Sequence, residues 1–354
     1  MVTAGTLAQV VRGDLVESVH VGHLVVLGPD GEVRFAVGDP GRTIWPRSSL
    51  KPVQAVAMLH AGLEVDEAGL ALACASHSGT AAHLAVVRGV LAGVGLTEAD
   101  LQNTPDLPLD AAAALAWQQA GRTASSITQN CSGKHAAMLA TCVAAGWDPA
   151  TYRDPGHPLQ QAIRVTVADL TGLPVDHVTV DGCGAPLLST TVIGLARAFG
   201  RIAAAGGSHV GPGPATHEAR VARAMTSRPE LVGGPGRDVT AFMVAVPGLV
   251  AKDGAEGVYA AGLADGSAVA FKVADGGARP RPAVLAAALE IALRTAVDAG
   301  GHAAQVVDAV RAVGRTPVLG HGRPVGAVTA VLGDVGGVVG GAVTAVLGDV
   351  GGVR

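Results

Sequence analysis

The sequence predicts an α+β fold, with one mainly antiparallel sheet built from both ends of the chain and a helical region inserted between them. Three observations predict it. β-Branched segments bounded by turn residues open the chain and return near residue 242. Between Lys51 and about residue 225, apolar residues recur at helical spacing. The order strands, helices, strands, helices is met most economically by a single sheet that both ends feed. The sheet is expected from about residues 1–47 and 226–325, and the helical region from about 48–225. Residues 1–325 then form one compact domain.

The elements follow in order. LAQVVRG, LVESVHVGHLVVLG and EVRFAVG read as strands, the last two flanking the turn GPDG. KPVQAVAMLHAG, AAHLAVVRGVLAG, AAAALAWQQAG, KHAAMLATCVAAG, PLQQAIRVTVADL and STTVIGLARAFGRIAAA read as helices, most of them ending near glycine. TEAD, residues 97–100, has the pattern of a capped helix start. Strands are expected again in FMVAVPGLVAK, EGVYAAGL and SAVAFKVADG, then helices in PAVLAAALEIALRTAVDAG and AAQVVDAVRAVG. The segment GAVTAVLGDVGGV occurs at 326–338 and again, identically, at 341–353. Two copies are too few for a solenoid, so residues 326–354 are expected to be a dispensable duplicated tail.

Composition narrows the function. The chain has 354 residues, 49% hydrophobic and 15% charged, which fits a globular chain with a large core and excludes a disordered one. A net charge of -4 offers no basic surface for nucleic acid or an anionic membrane. With no targeting pattern at the start and no apolar run of membrane-spanning length, a cytoplasmic location is expected. Four cysteines in such a chain read as thiols or metal ligands. Only four of the 25 basic residues are lysine: Lys51, Lys134, Lys252 and Lys272. Arginine does not give up its proton in practice and lysine can, so the few lysines are candidates for chemistry.

RSSLKP, residues 47–52, places Ser48 three residues before Lys51, on the same face if the segment is helical. A serine hydroxyl is a weak nucleophile until a base takes its proton. The chain has no G-x-S-x-G elbow. It has instead an ordered set: SSLK, then CASHSG with Ser76, then KDG at 252–254. In this pattern Ser48 is the nucleophile and Lys51 its general base. Lysine serves as a base once burial and a second cation lower its proton affinity. Lys252 is the candidate cation, with Ser76 as a proton relay between the lysines.

A second constellation is QNCSGKH with VDGCGAP. Cys131, Cys183, Lys134 and Asp181 lie on two separate loops that could bind Zn²⁺ if they met. The other reading is two small thiols packed in tight turns. His77 and His135 read as structural, Cys74 and Cys142 as core, and Lys272 as a strand residue with a solvated ammonium. Arg47 could hold a carboxylate in bidentate fashion.

RSSLKP, CASHSG, NCSGKH, DGCGAP and KDGAEGV, in this order, resemble the asparaginase II family of Rhizobium-type L-asparaginases. The resemblance spans about residues 8–325. It implies a fold like that of serine β-lactamases and penicillin-binding proteins. It also implies hydrolysis of L-asparagine to L-aspartate and ammonia, with Ser48, Lys51, Ser76 and Lys252 catalytic. Arg47, Lys134 and Asp181 would hold the charged ends of the substrate. Cys131, Lys134 and Cys183 would hold a metal, typically zinc, that positions substrate. Members are usually homodimers. Asp253 stands where the resemblance implies a smaller residue, often glycine, and is expected to touch no catalytic group. Two rival functions share these residues: a β-lactamase-like acyl hydrolase of another substrate, and a non-catalytic paralogue that binds an amino acid.

Overall fold

The computed structural model describes residues 3–207, 215–296 and 302–332. Strands β1 (Gly5–Arg12), β2 (Leu15–Leu27), β3 (Val33–Val37) and β4 (Thr43–Ile44) open the chain. A 3-10 turn, Arg47–Leu50, leads into α1 (Lys51–His60). Helices α2 (Glu67–Ala73), α3 (Ala81–Gly93), α4 (Ala111–Gln119), α5 (Ser132–Ala145) and α6 (Pro158–Thr171) follow. Short strands β5 (Val178–Val180), β6 (Pro186–Leu188) and β7 (Thr190–Thr191) precede α7 (Val192–Gly207), α8 (His217–Ser227), α9 (Pro229–Val232) and α10 (Asp238–Ala245). Strands β8 (Val250–Gly254), β9 (Val258–Gly262) and β10 (Ala268–Val273) return the chain to the sheet. Then come α11 (Arg281–Ala296), α12 (His302–Gly314), β11 (Thr316–Gly320) and β12 (Arg323–Ala330).

The fold is α+β. Its main sheet runs β11-β12-β1-β2-β10-β9-β8, with β3 also on β2, and every pairing in it is antiparallel. Both ends of the chain supply it, with the first strands and the last meeting where β1 pairs β12 and β2 pairs β10. β8 and β9 are buried at every position, so both of their faces are covered. α7 packs on β8, β9 and β10, and α11 on β9, β10, β1, β2 and β12. One apolar core joins the sheet to the helical region.

Three expectations change in detail, and one further helix is present. FMVAV is not a strand: residues 238–245 form α10, and Pro247 and Gly248 separate it from β8, which starts at Val250. TEAD closes one 3-10 turn, where Thr97 accepts from the Ala99 N–H and Asp100 from the Thr97 N–H. EAGLALA forms a helix without a clear sequence signal, since it is too short to complete a periodic stripe; Asp66 caps it through the Gly69 N–H. The boundary expected after residue 325 falls inside β12. Gly326–Ala330, the opening of the first repeat copy, lies between β1 and β11. The second copy lies outside the described residues.

Candidate active site

Ser48 sits in the 3-10 turn that closes the step from β4 into α1. The residue before it, Arg47, has φ +52°, the left-handed region that non-glycine residues enter at a cost. The turn is tied by the Ser49 hydroxyl, which donates to the Pro46 carbonyl at 2.6 Å, and by the Lys51 N–H, which donates to the Ser48 carbonyl. Gly254 makes room for it: a Cβ there would lie 2.7 Å from the Pro46 carbonyl oxygen. The glycine of KDG therefore lets β8 approach the turn that carries Ser48.

Lys51 is the first residue of α1 and is 1% exposed. Its Nζ donates to the Ala75 carbonyl at 2.5 Å and to Ser76 Oγ at 3.1 Å, so the ordered motifs SSLK and CASHSG meet. Its hydrogen bonds go to Ser76 and not to Ser48, whose hydroxyl has no partner among the described residues. Ser76 follows α2; its N–H donates to the Val232 carbonyl. Lys252, on β8, is 0% exposed. Burial lowers its proton affinity first, Asp253 opposes the fall and Lys51 adds to it, leaving a pKa of about 8. The expected relay between the lysines is only half present. Ser76 bonds Lys51, while Lys252 Nζ turns to the carboxylate and carbonyl of Asp253. Asp253 thus touches a proposed catalytic group, against expectation. Its two neighbours from other elements, Arg237 and Arg281, carried no signal in the sequence, where arginine is the common surface cation.

The second constellation also closes. Asp181–Ala185 forms the turn of a hairpin between β5 and β6, and QNCSGKH opens α5. Gly133 matters here, since a Cβ would lie 2.5 Å from the Leu72 carbonyl at the end of α2. Its absence lets α5 carry Lys134, 2% exposed, into the interior. Lys134 Nζ donates to Cys183 Sγ at 3.2 Å. Cys131 and Cys183 pack together with Ala185. The neighbouring Cys131 thiol holds Cys183 well below the usual thiol range, and Cys183 raises Cys131, while Lys134 reinforces the charge on Cys183. Burial opposes charge on Lys134, but Cys183, Cys131 and Asp181 outweigh it and raise its proton affinity.

Arg47 joins this group to Ser48: its Nε donates to Asp181 Oδ1 at 2.8 Å, and Asp181 Oδ1 also accepts the Gly182 N–H. Two sulfurs and a lysine nitrogen, all buried, form a soft donor set that suits zinc, provided the lysine loses its proton. No third His, Cys, Asp or Glu completes a metal cluster among the described residues.

The histidines inside the motifs have structural partners. His77 Nδ1 accepts the Gly79 N–H and its Nε2 faces Ser132 Oγ at 2.8 Å, linking the Ser76 loop to α5. His135 Nδ1 pairs with the Tyr152 hydroxyl at 2.6 Å. Cys74 and Cys142 are buried in the core. Lys272 is half-buried on β10, and its ammonium donates to the Glu256 and Val273 carbonyls instead of being fully solvated.

Fold and site together define an α+β protein in which Ser48, Ser76, three lysines and two cysteines gather where the helical region meets the sheet. The chain matches the L-asparaginase II family over residues 8–330 and belongs to it. None of the curated proteins compared matches it. Among solved structures it is similar to Mglu in its glutamate form, at 17% identity and TM-score 0.43, covering 79% of this chain and 62% of that one. For Mglu in its tris and glutamate form the values are 17%, 0.42, 79% and 61%. A β-lactamase (Mb2281c) from Mycobacterium bovis is similar at 14% identity and TM-score 0.40, covering 83% and 94%. The chain spans about three fifths of the length of the Mglu chain. Among the described residues, no helix is long and apolar enough to cross a membrane.

Proposed function

We propose that this chain is an L-asparaginase that works through an ester on Ser48. The observation that carries the reading is Lys51, buried one turn from Ser48 with its Nζ on Ser76 Oγ. Ser48 Oγ attacks the side-chain amide carbon of L-asparagine, and its proton passes to Lys51, directly or through Ser76. The leaving nitrogen takes a proton and departs as ammonia. Water then hydrolyses the β-aspartyl ester, with the same lysine as base. Arg47 and Lys134 suit the α-carboxylate of the substrate and Asp181 its α-ammonium, and such paired polar contacts reject analogues that lack them.

Zinc held by Cys131, Lys134 and Cys183 would supply a fixed positive charge that positions the substrate. Zinc content of the purified protein, lost in Cys183→Ser, checks that site. The working form in this reading is a cytoplasmic homodimer, which sedimentation would test. Ammonia release from L-asparagine, abolished in Ser48→Ala, is the result expected. Release that survives in Ser48→Ala would overturn the mechanism. Hydrolysis of a β-lactam reporter with asparagine untouched would assign the same residues to another acyl substrate, and asparagine binding without turnover would mark a non-catalytic paralogue.

A further inference from the structure

Lys252 and Asp253 are successive residues of β8, and successive strand side chains leave on opposite faces. Their charged ends meet nonetheless. Lys252 Nζ donates to Asp253 Oδ1 and, at 2.8 Å, to the Asp253 carbonyl. The other carboxylate oxygen, Oδ2, accepts from Arg237 Nη2 at 2.8 Å and lies 3.6 Å from Arg281 Nη1. Arg237 reaches the catalytic loop with its second arm, donating from Nη1 to the Ser76 carbonyl at 3.3 Å. Arg281 Nη1 also donates to the Gly254 carbonyl at 2.9 Å. One buried carboxylate therefore ties the strand of Lys252 to the loop of Ser76. Lys51 is placed differently: its Nζ donates to the neutral oxygens of Ala75 and Ser76, and no carboxylate pairs with it among the described residues.

The charged and titratable groups around this pair come from several elements. Lys51 of α1 and Arg237, just ahead of α10, face Lys252, and Cys74 lies behind it at the end of α2. Asp253 faces Arg237, Arg281 of α11 and, more distantly, Asp238 of α10 and Tyr259, its partner in β9. Asp253 is the carboxylate of this set that touches Lys252.

We propose that Asp253 is a positioning residue that holds Lys252 as an ammonium, so that the two lysines act differently. Lys252 stays a fixed cation, and Lys51 takes and returns the serine proton. The inference rests on the Ser–Lys reading above. An ammonium that donates to a carboxylate offers no lone pair to a serine. Without that carboxylate, Lys252 would lie buried between Lys51 and Arg237, and proton loss would relieve the repulsion. The direction agrees with burial as the main force lowering its proton affinity and Asp253 as the main force opposing it.

Four lysines make a direct test practical. Full-length protein labelled with ¹³C at lysine Cε gives four resonances, assigned with Lys51→Arg, Lys252→Arg and Lys272→Arg. Titration of the Lys252 signal needs no substrate, so it stands whether or not asparagine is turned over. In the unaltered protein the signal should titrate near pH 8. Asp253→Asn should move its midpoint down by about one pH unit or more. Arg237→Gln, which removes a competing cation, should move it up. The alkaline limb of kcat/KM for ammonia release should follow in each variant, whereas a merely structural role would lower the rate without moving the limb. A Lys252 midpoint unmoved in Asp253→Asn overturns the proposal, as does a shift confined to the Lys51 signal. If Asp253→Asn does not fold, Asp253→Ser, which also removes the charge in a smaller side chain, should give the same downward shift and decides in its place. Lys252 shifts as expected, with no ammonia from any of the proteins, would leave the role of Asp253 standing and sink the asparaginase reading.

Discussion

Three of the four lysines are almost completely buried, and burial is what makes a lysine useful as a base or as a fixed charge. Their scarcity among 25 basic residues made them legible in the sequence. Their partners were not legible. Arg237 and Arg281 are two arginines among many, and Asp253 declares itself only when three elements close on it. His77 gives a testable case at this scale. Burial, then His83, Lys51 and Arg237, hold it well below 6.5, so the folded protein keeps it neutral while the unfolded chain protonates below that pH. The unfolded state then binds more protons, and stability must fall as pH drops below 6.5, by up to ~1.4 kcal/mol per pH unit from this residue. Urea midpoints measured between pH 7.5 and 5 should show the decline, and His77→Gln should flatten it. A His77→Gln slope equal to that of the unaltered protein would rule this account out.

At the scale of elements, the site depends on backbones that approach closely. β8 reaches the Ser48 turn because Gly254 has no side chain, and α5 reaches the end of α2 because Gly133 has none. Both glycines stood in motifs visible in the sequence, but the reason for them did not, because it lies in a neighbour about 200 residues away in one case and about 60 in the other. Gly254→Ala should displace the turn that holds Ser48. We expect kcat to fall about tenfold or more, as misplacement of a reacting group by an ångström can cost about a hundredfold. The melting temperature should fall by only a few degrees, consistent with an overpacking cost of about 1–3 kcal/mol. Ammonia-release kinetics beside a thermal melt separate the two effects, and an unchanged kcat would show that the turn does not need this approach. Helix and strand identity was legible wherever the apolar period was long. It failed at FMVAV, where a run of apolar residues fits either state and the following Pro247 and Gly248 set the boundary.

For the whole molecule, the sheet depends on the meeting of the two chain ends. β12 pairs with β1 on one side and β11 on the other, so its loss would strand β11 and expose the edge of β1. Truncation after Val325 should therefore lower the melting temperature sharply or prevent folding. Truncation after Leu332 removes nothing from the described sheet, and its melting curve should overlay that of the full chain. Equal stability for both truncations would contradict the place given to β12. The two-ended sheet was legible from the order of the segments. The role of Gly326–Ala330 was hidden, because a perfect repeat with its neighbour looks like ornament until one copy is seen in a ladder.

The burial of lysine has one more consequence. Reagents that acylate amines find lysine on the outside of most proteins, but here Lys272 is the only lysine not fully enclosed, and its ammonium is already held by two carbonyls. Folded molecules should take up little label at lysine and unfolded ones four equivalents. The number of labels acquired then becomes a count of how often the molecule opens, and a brief pulse of reagent would read that count without any knowledge of a substrate.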